Sequence, residues 1–431
     1  MRSLLVALLV FGSLPLIIVK PHIGVLVWSW LGYMNPHRLT WGFAYDFSFA
    51  MVVGIVTIAA WLFSREPKTL PWHPLVLLLA AFAAWVSFTT LFADFPEHAA
   101  WKWDRTIKIL LFNGFVTLGL ITTRQRLDAL IWVIVLSLGF FAVKGAAFTL
   151  LTGGSHRLFG PPGSFIADNN QFGLALLMTI PLVRYLQLTA SRRRVRLGLL
   201  CSIPCFLVAV VGTYSRGAVV GLAVTVVALA IKSRHRMRLA FLAGIAIAAA
   251  VQFMPEHWHA RVATIAEYEE DGSVQGRFES WRYALEVVRG SPMIGGGFEV
   301  FRGNRTPAGA GYRSAHSIYF EALAEHGYVG LALFLAIGMG TYLTASAIIR
   351  RSRDHPDLAW AADLAAMVQV SIAAYATAGL FLNLATFDLY YHLVAIVVIA
   401  HALVRARLTA ATPSDAPSTS PGYAHPFDAR I

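Results

Sequence analysis

The chain has 431 residues, 57% of them hydrophobic and 13% charged, with a mean hydropathy of +0.62. A soluble domain carries about 25% charged residues, so a water-soluble enzyme is excluded and an integral membrane protein is indicated. The net charge of +12 does not point to nucleic acid, because the basic residues gather in short connectors between apolar runs, as the positive-inside rule describes.

Apolar runs fall near residues 3–19, 22–34, 42–63, 73–93, 105–122, 127–151, 169–189, 197–213, 217–231, 239–253, 328–349, 360–382 and 387–404. They are too long for barrel strands, which alternate over about ten residues, and most approach the ~20 residues of a spanning helix. Only helices then satisfy the backbone within each segment. The fold class is therefore an all-α, polytopic membrane protein of about twelve spans. The first run follows Arg2, has no small-x-small cleavage site after it, and is read as retained. It breaks from the second at Lys20-Pro21, leaving a kinked single span or a hairpin.

Alternate connectors are basic: Arg65 and Lys68; Arg124 and Arg126; Arg192 to Arg196; Lys232 to Arg238; Arg350 to Arg353; Arg405 and Arg407. They predict a cytoplasmic side, and place connectors 35–41, 94–104, 152–168, 213–216, 254–327 and 383–386 outside. Residues 1–407 form the membrane domain. Residues 408–431, rich in Pro, Ser, Thr and Ala, read as a disordered cytoplasmic tail. Cys201 and Cys205 sit one helical turn apart, which does not suit a disulfide. Trp28, Trp30, Tyr33, Trp41, Tyr45, Trp101 and Trp103 read as an interfacial belt, with sugar stacking as the alternative.

The outward segment 254–327 is far longer than a helix connection requires. It holds seven arginines, Arg261, Arg277, Arg282, Arg289, Arg302, Arg305 and Arg313, and ends at His316. Arginine forks match phosphate oxygens, and histidine takes a proton near neutrality. From Arg277 to Val288, Phe278, Trp281, Leu285 and Val288 recur at helical spacing, predicting an amphipathic helix on the membrane surface. Ser291-Pro292 ends it, and Gly295-Gly296-Gly297 marks a flexible or tight turn.

His316 is a candidate general base, against the plainer reading of an interfacial helix cap. Arg216, in Tyr214-Ser215-Arg216-Gly217, lies on the outer side, where topology does not call for a cation. It is a functional candidate, or else it snorkels to headgroups. Arg277 opens the amphipathic helix. Arg157 lies in a second outward loop that closes on Asp168-Asn169-Asn170, and Arg313 lies just before His316. These arginines are the donor-binding candidates. Asn170 and Tyr319 are candidate sugar contacts, although Asn170 would equally serve to cap the next helix. No P-loop, dinucleotide, Gly-x-Ser-x-Gly or zinc motif is present. Neither a cofactor nor a metal is expected, and arginines would stand in place of a divalent cation.

Three segments, in this order, resemble the O-antigen ligase and polymerase superfamily: Arg157-Leu158-Phe159-Gly160 with Asn169-Asn170; Tyr214-Ser215-Arg216-Gly217; and His316-Ser317-Ile318-Tyr319 through Glu325-His326-Gly327. The opening segment Tyr33-Met34-Asn35-Pro36-His37-Arg38-Leu39-Thr40-Trp41-Gly42 resembles the branch of O-glycosylation ligases associated with exosortase A. The resemblance implies a GT-C-like, metal-independent, inverting glycosyltransferase of the bacterial inner membrane with its active site facing the periplasm. It also implies a glycan donor on undecaprenyl pyrophosphate and an acceptor hydroxyl on a lipid A core sugar or a protein. By motif position His316 matches the family's essential histidine, and Arg216 and Arg277 its essential arginines. Ser317 stands where the family often has asparagine. A polymerase using the same donor is the alternative, and a transporter of lipid-linked sugar is a further one.

Overall fold

The computed structural model describes residues 1–232, 236–256, 258–259, 272–305 and 311–411. Arg261 and the tail beyond residue 411 lie outside the described residues. Among the described residues the regular structure is helical, apart from one isolated bridge between Arg305 and Tyr312. The helices are α1 (Arg2–Val19), α2 (His22–Met34), α3 (Phe49–Phe63), α4 (Pro74–Thr90), α5 (Pro96–Ile109), α6 (Thr117–Leu120), α7 (Arg124–Leu151) and α8 (Asn169–Thr189). There follow α9 (Arg193–Gly212), α10 (Arg216–Lys232), α11 (Arg236–Phe253), α12 (Gly272–Gly290), α13 (Ile318–Ser352), α14 (Ala359–Ala378) and α15 (Asp388–Ala411). Seven of the described helices are long and apolar enough to cross a membrane, and α3 and α4 are apolar but shorter.

Local chemistry sets most of the boundaries. The Asp168 carboxylate accepts the Asn170 N–H and starts α8, and the Thr123 hydroxyl accepts the Arg126 N–H and starts α7. Pro74 opens α4 behind a His73 cap. Lys20-Pro21 separates α1 from α2, so residues 1–34 form two helices rather than one kinked rod. The run beginning at residue 105 is the second half of a longer helix. It starts at Pro96 and passes through a π-helical stretch, Leu110–Val116, into α6. There Trp28 stacks on Phe112 at 3.9 Å and donates to Asn113, and Asn113 donates to the Asp388 carboxylate. Buried polar pairing of this kind suits a π-bulge. It also takes Trp28 off the interfacial belt, whereas Trp41 and Trp101 are well exposed.

The amphipathic helix is α12, which begins five residues before Arg277 and ends at Gly290. Helix α13 is two pieces joined at Gly327, whose φ is 67°. A side chain there would meet the Met293 carbonyl at 2.1 Å, so only glycine fits. The Gly295–Gly297 turn is pinned beneath the first piece, with Gly296 and Gly297 N–H groups donating to the carbonyls of Ala324 and Glu325. It is a tight turn, not a flexible one.

Helices α8 and α14 form the centre, packed on α7, α9, α10 and α13. The connectors sort to two ends. At one, Arg126 pairs with Glu66 at 2.6 Å, Arg124 lies over Trp360, Arg351 donates to His401 and Arg407 pairs with Asp357. At the other, Leu158 N–H donates to Gly212, Asn169 donates to Thr213, Gln171 donates to Asn383 and Asp94 N–H donates to Gly296. Reporter fusions after Arg196, Arg238 and Arg353 are expected to score cytoplasmic, and fusions near Gly163 and Gly297 external. An external signal at Arg353 would reverse the assignment of faces.

Candidate active site

At the end away from the basic connectors, α8, α10 and α13 present their N-termini, as do α5 and α15. The turn into α10 is made by Tyr214, whose φ of 59° is left-handed and whose hydroxyl donates to the Gly154 carbonyl. Ser215 then caps α10 by accepting the Ala218 N–H. Arg157 lies with its guanidinium 5.9 Å from the Tyr214 ring, so the first two motif segments meet. Arg216 is the first residue of α10, and the next residue, Gly217, has its Cβ position 3.1 Å from Phe381.

Phe381 is the shared neighbour. Arg277, from α12, holds its guanidinium 5.8 Å from the Phe381 ring centre. Ile318, the first residue of α13, packs on Gly379 two residues before it. His316 just precedes α13 with a left-handed φ of 47°, a conformation uncommon outside glycine and asparagine. Its turn is fixed on both sides. Trp281 donates to the Ala315 carbonyl at 3.0 Å and stacks on Phe320 at 4.9 Å, and Asn304 donates to the Arg313 carbonyl at 3.1 Å. The His316 ring is reachable from solvent. Surrounding protein, and secondly the charge of Arg277, lower its pKa below the usual imidazole value, with Asp168 acting the other way. The ring is therefore neutral at pH 7 and able to accept a proton.

The other predicted residues are placed differently. Arg313 is ion-paired with Glu279 on α12. Asn170 donates to Asp168 and Asn169 within the α8 cap. The Tyr319 hydroxyl donates to the Ala376 carbonyl at 2.8 Å, so that side chain joins α13 to α14. The Ser317 hydroxyl is buried without a hydrogen-bond partner among the described residues. Among the described residues no group of three or more His, Cys, Asp or Glu side chains could hold a metal ion.

One cluster escaped the sequence reading. Lys102 on α5 reaches Glu321 and Glu325 on α13, at 2.7 Å each. Glu325 also accepts the Glu299 N–H, and Glu321 the Ala385 N–H, both at 3.0 Å. One ammonium and two carboxylates thus tie α5, α13, the loop after α12 and the loop before α15. They line a polar cavity of about 160 Å³ with Ser314, Tyr312 and Asn383, next to His316. The four-residue spacing of Glu321 and Glu325 was visible, but their partner is more than two hundred residues away.

Residues 199–335 match the O-Antigen ligase family model. That segment holds Arg216, Arg277, Arg313, His316 and Tyr319. Residues 1–191, with Arg157, Asn170 and Lys102, match a family of unknown function (DUF5935). No curated protein matches the chain. The O-Antigen ligase match supports a membrane glycosyltransferase of the ligase or polymerase type. It does not extend to Phe381 or Ala385, so the residues that close the site lie beyond it.

Proposed function

We propose that the chain is a twelve-span glycan ligase of the bacterial inner membrane, with its site on the periplasmic face and its C-terminus in the cytoplasm. The donor is a glycan on undecaprenyl pyrophosphate, and the acceptor is a hydroxyl of a lipid A core sugar or a protein. What supports the reading is that three separate segments meet here: Arg277 lies against the Phe381 ring, Gly217 beside Arg216 packs on Phe381, and the charge of Arg277 reaches His316. Arg216 and Arg277 bind the pyrophosphate, helped by the positive ends of α8, α10 and α13. His316 takes the proton from the acceptor hydroxyl as its oxygen attacks the anomeric carbon. The carbon–oxygen bond to the pyrophosphate breaks, the configuration inverts, and the arginines hold the charge that builds on the leaving group.

An apolar groove of about 730 Å³ between α13 and α14 supports the lipid part of the donor. It starts at Ile318 and Tyr319, directly after His316, and runs to Tyr342. Within the second piece of α13, the lining from Ala332 to Tyr342 spans roughly 15 Å of helix, room for part of a polyprenyl chain leading from the site into the membrane.

The test is reconstitution of purified protein with lipid-linked glycan and separate acceptors, with detection of the joined product. Arg216→Ala is expected to weaken donor affinity and rate together by about 10–100-fold, as loss of a charge-assisted contact does. Arg216→Lys should recover part, since it keeps charge but not the fork. Turnover is expected to survive EDTA in intact proteoliposomes. Elongation of the donor's own glycan with no transfer to other acceptors would make it a polymerase, and movement of donor without any new bond would refute both.

A further inference from the structure

At the end of the bundle opposite His316, the last turns of α15 meet the start of α4 around a second cavity, of about 400 Å³. His401, Arg405 and Thr409 recur every fourth residue on α15 and so share one face, and all three line it. Trp72 and His73 form the facing wall. The His73 and His401 rings meet edge to face at 5.0 Å, and Arg351 donates to His401 Nε2 at 2.8 Å. His73 Nδ1 accepts the Leu75 N–H, which leaves the ring proton on Nε2. The N-terminus of α4 adds its partial positive charge. Among the described residues no carboxylate lines the cavity, and Asp357 is engaged by Arg407 outside it at 2.7 Å.

We propose that this cavity binds the phosphodiester headgroup of an anionic membrane phospholipid, with Arg405 on the phosphate and an acyl chain along the apolar face of α15. The donors explain the phosphate, and the rest of the cavity explains the lipid. From Thr409 back to Val398 the lining covers roughly 16 Å of helix, and on this wall all but His401, Arg405 and Thr409 is alanine and valine. Trp72 is 80% exposed beside it, as an interfacial anchor would be. Basic pockets between helices on the cytoplasmic side, where anionic lipids concentrate, suit such headgroups. The inference is independent of the glycosyltransferase reading.

The full-length protein in neutral detergent is titrated with dioleoylphosphatidylglycerol, dioleoylphosphatidylcholine or inorganic phosphate, and bound lipid is counted by native mass spectrometry. The glycerol lipid is expected to bind about tenfold tighter than the choline lipid. Arg405→Gln should remove about that tenfold preference. Ala402→Leu, which keeps every charge and narrows the cavity, should weaken binding of the glycerol lipid, while Arg407→Gln leaves it unchanged. Equal losses in Arg405→Gln and Arg407→Gln would mean diffuse surface charge and overturn the site. Displacement of the lipid by millimolar phosphate would make free phosphate the ligand and overturn the lipid assignment, as would equal affinity for the two lipids.

Discussion

Replacing His316 is expected to lower the ligation rate by about 10²–10⁴-fold, the usual cost of losing a general base, while the lipid donor still binds. The better variant is His316→Asn. The residue sits at φ 47°, and asparagine tolerates that conformation where alanine adds strain, so the asparagine variant separates loss of the base from loss of the turn. The pH profile supplies a second reading. A base works only when deprotonated, and the His316 pKa lies below the ordinary imidazole value through burial and Arg277. The rate should therefore hold level as pH falls through about 6.5, the unperturbed value, and decline only below it. Removing Arg277 should move that decline to higher pH. A folded His316→Asn protein with near wild-type turnover would take histidine out of the mechanism and leave the arginines as a carrier-binding site.

Lys102→Met is expected to cost about 3–5 kcal/mol of stability, because it leaves Glu321 and Glu325 as buried carboxylates without their cation. Both are nearly inaccessible to solvent and both depend on the one ammonium. Combining Lys102→Met with Glu321→Gln and Glu325→Gln should restore much of the loss, since neutral amides of similar shape still have backbone partners. The exposed Arg407–Asp357 pair is the control, and breaking it should cost no more than about 1 kcal/mol. Thermal unfolding of the purified variants in one detergent gives the comparison. If Lys102→Met melts within a degree of the wild type, the cluster does not hold the site together.

How much of this was legible in the sequence differs from element to element. The bounds of α8 could be read to the residue, because Asp168 is a strong cap at the edge of a long apolar run. The start of α5 could not, because Glu97, Lys102, Asp104 and Arg105 dilute its hydropathy and make it read as a connector. The π-helical stretch depends on Trp28 and Asp388, which are remote in sequence. Within the site, Arg216, Arg277 and His316 stood out because each sits in a short polar motif. Phe381 did not, being one apolar residue among Gly379, Leu380 and Leu382. Arg313 was chosen for its nearness to His316, but its carboxylate partner, Glu279, lies on α12, remote in sequence.

The closure of the site by late residues has a consequence for how the protein is made. Every motif residue has been synthesised by residue 335, but Phe381 supports Arg277 and the backbone of Ala385 holds Glu321. The catalytic end therefore cannot set until the ribosome has passed both, when nearly the whole chain is in the membrane. On the proposed function, a chain cut before Phe381 is expected to carry all three motifs and yet lack activity, which a ligation assay on the truncated protein checks.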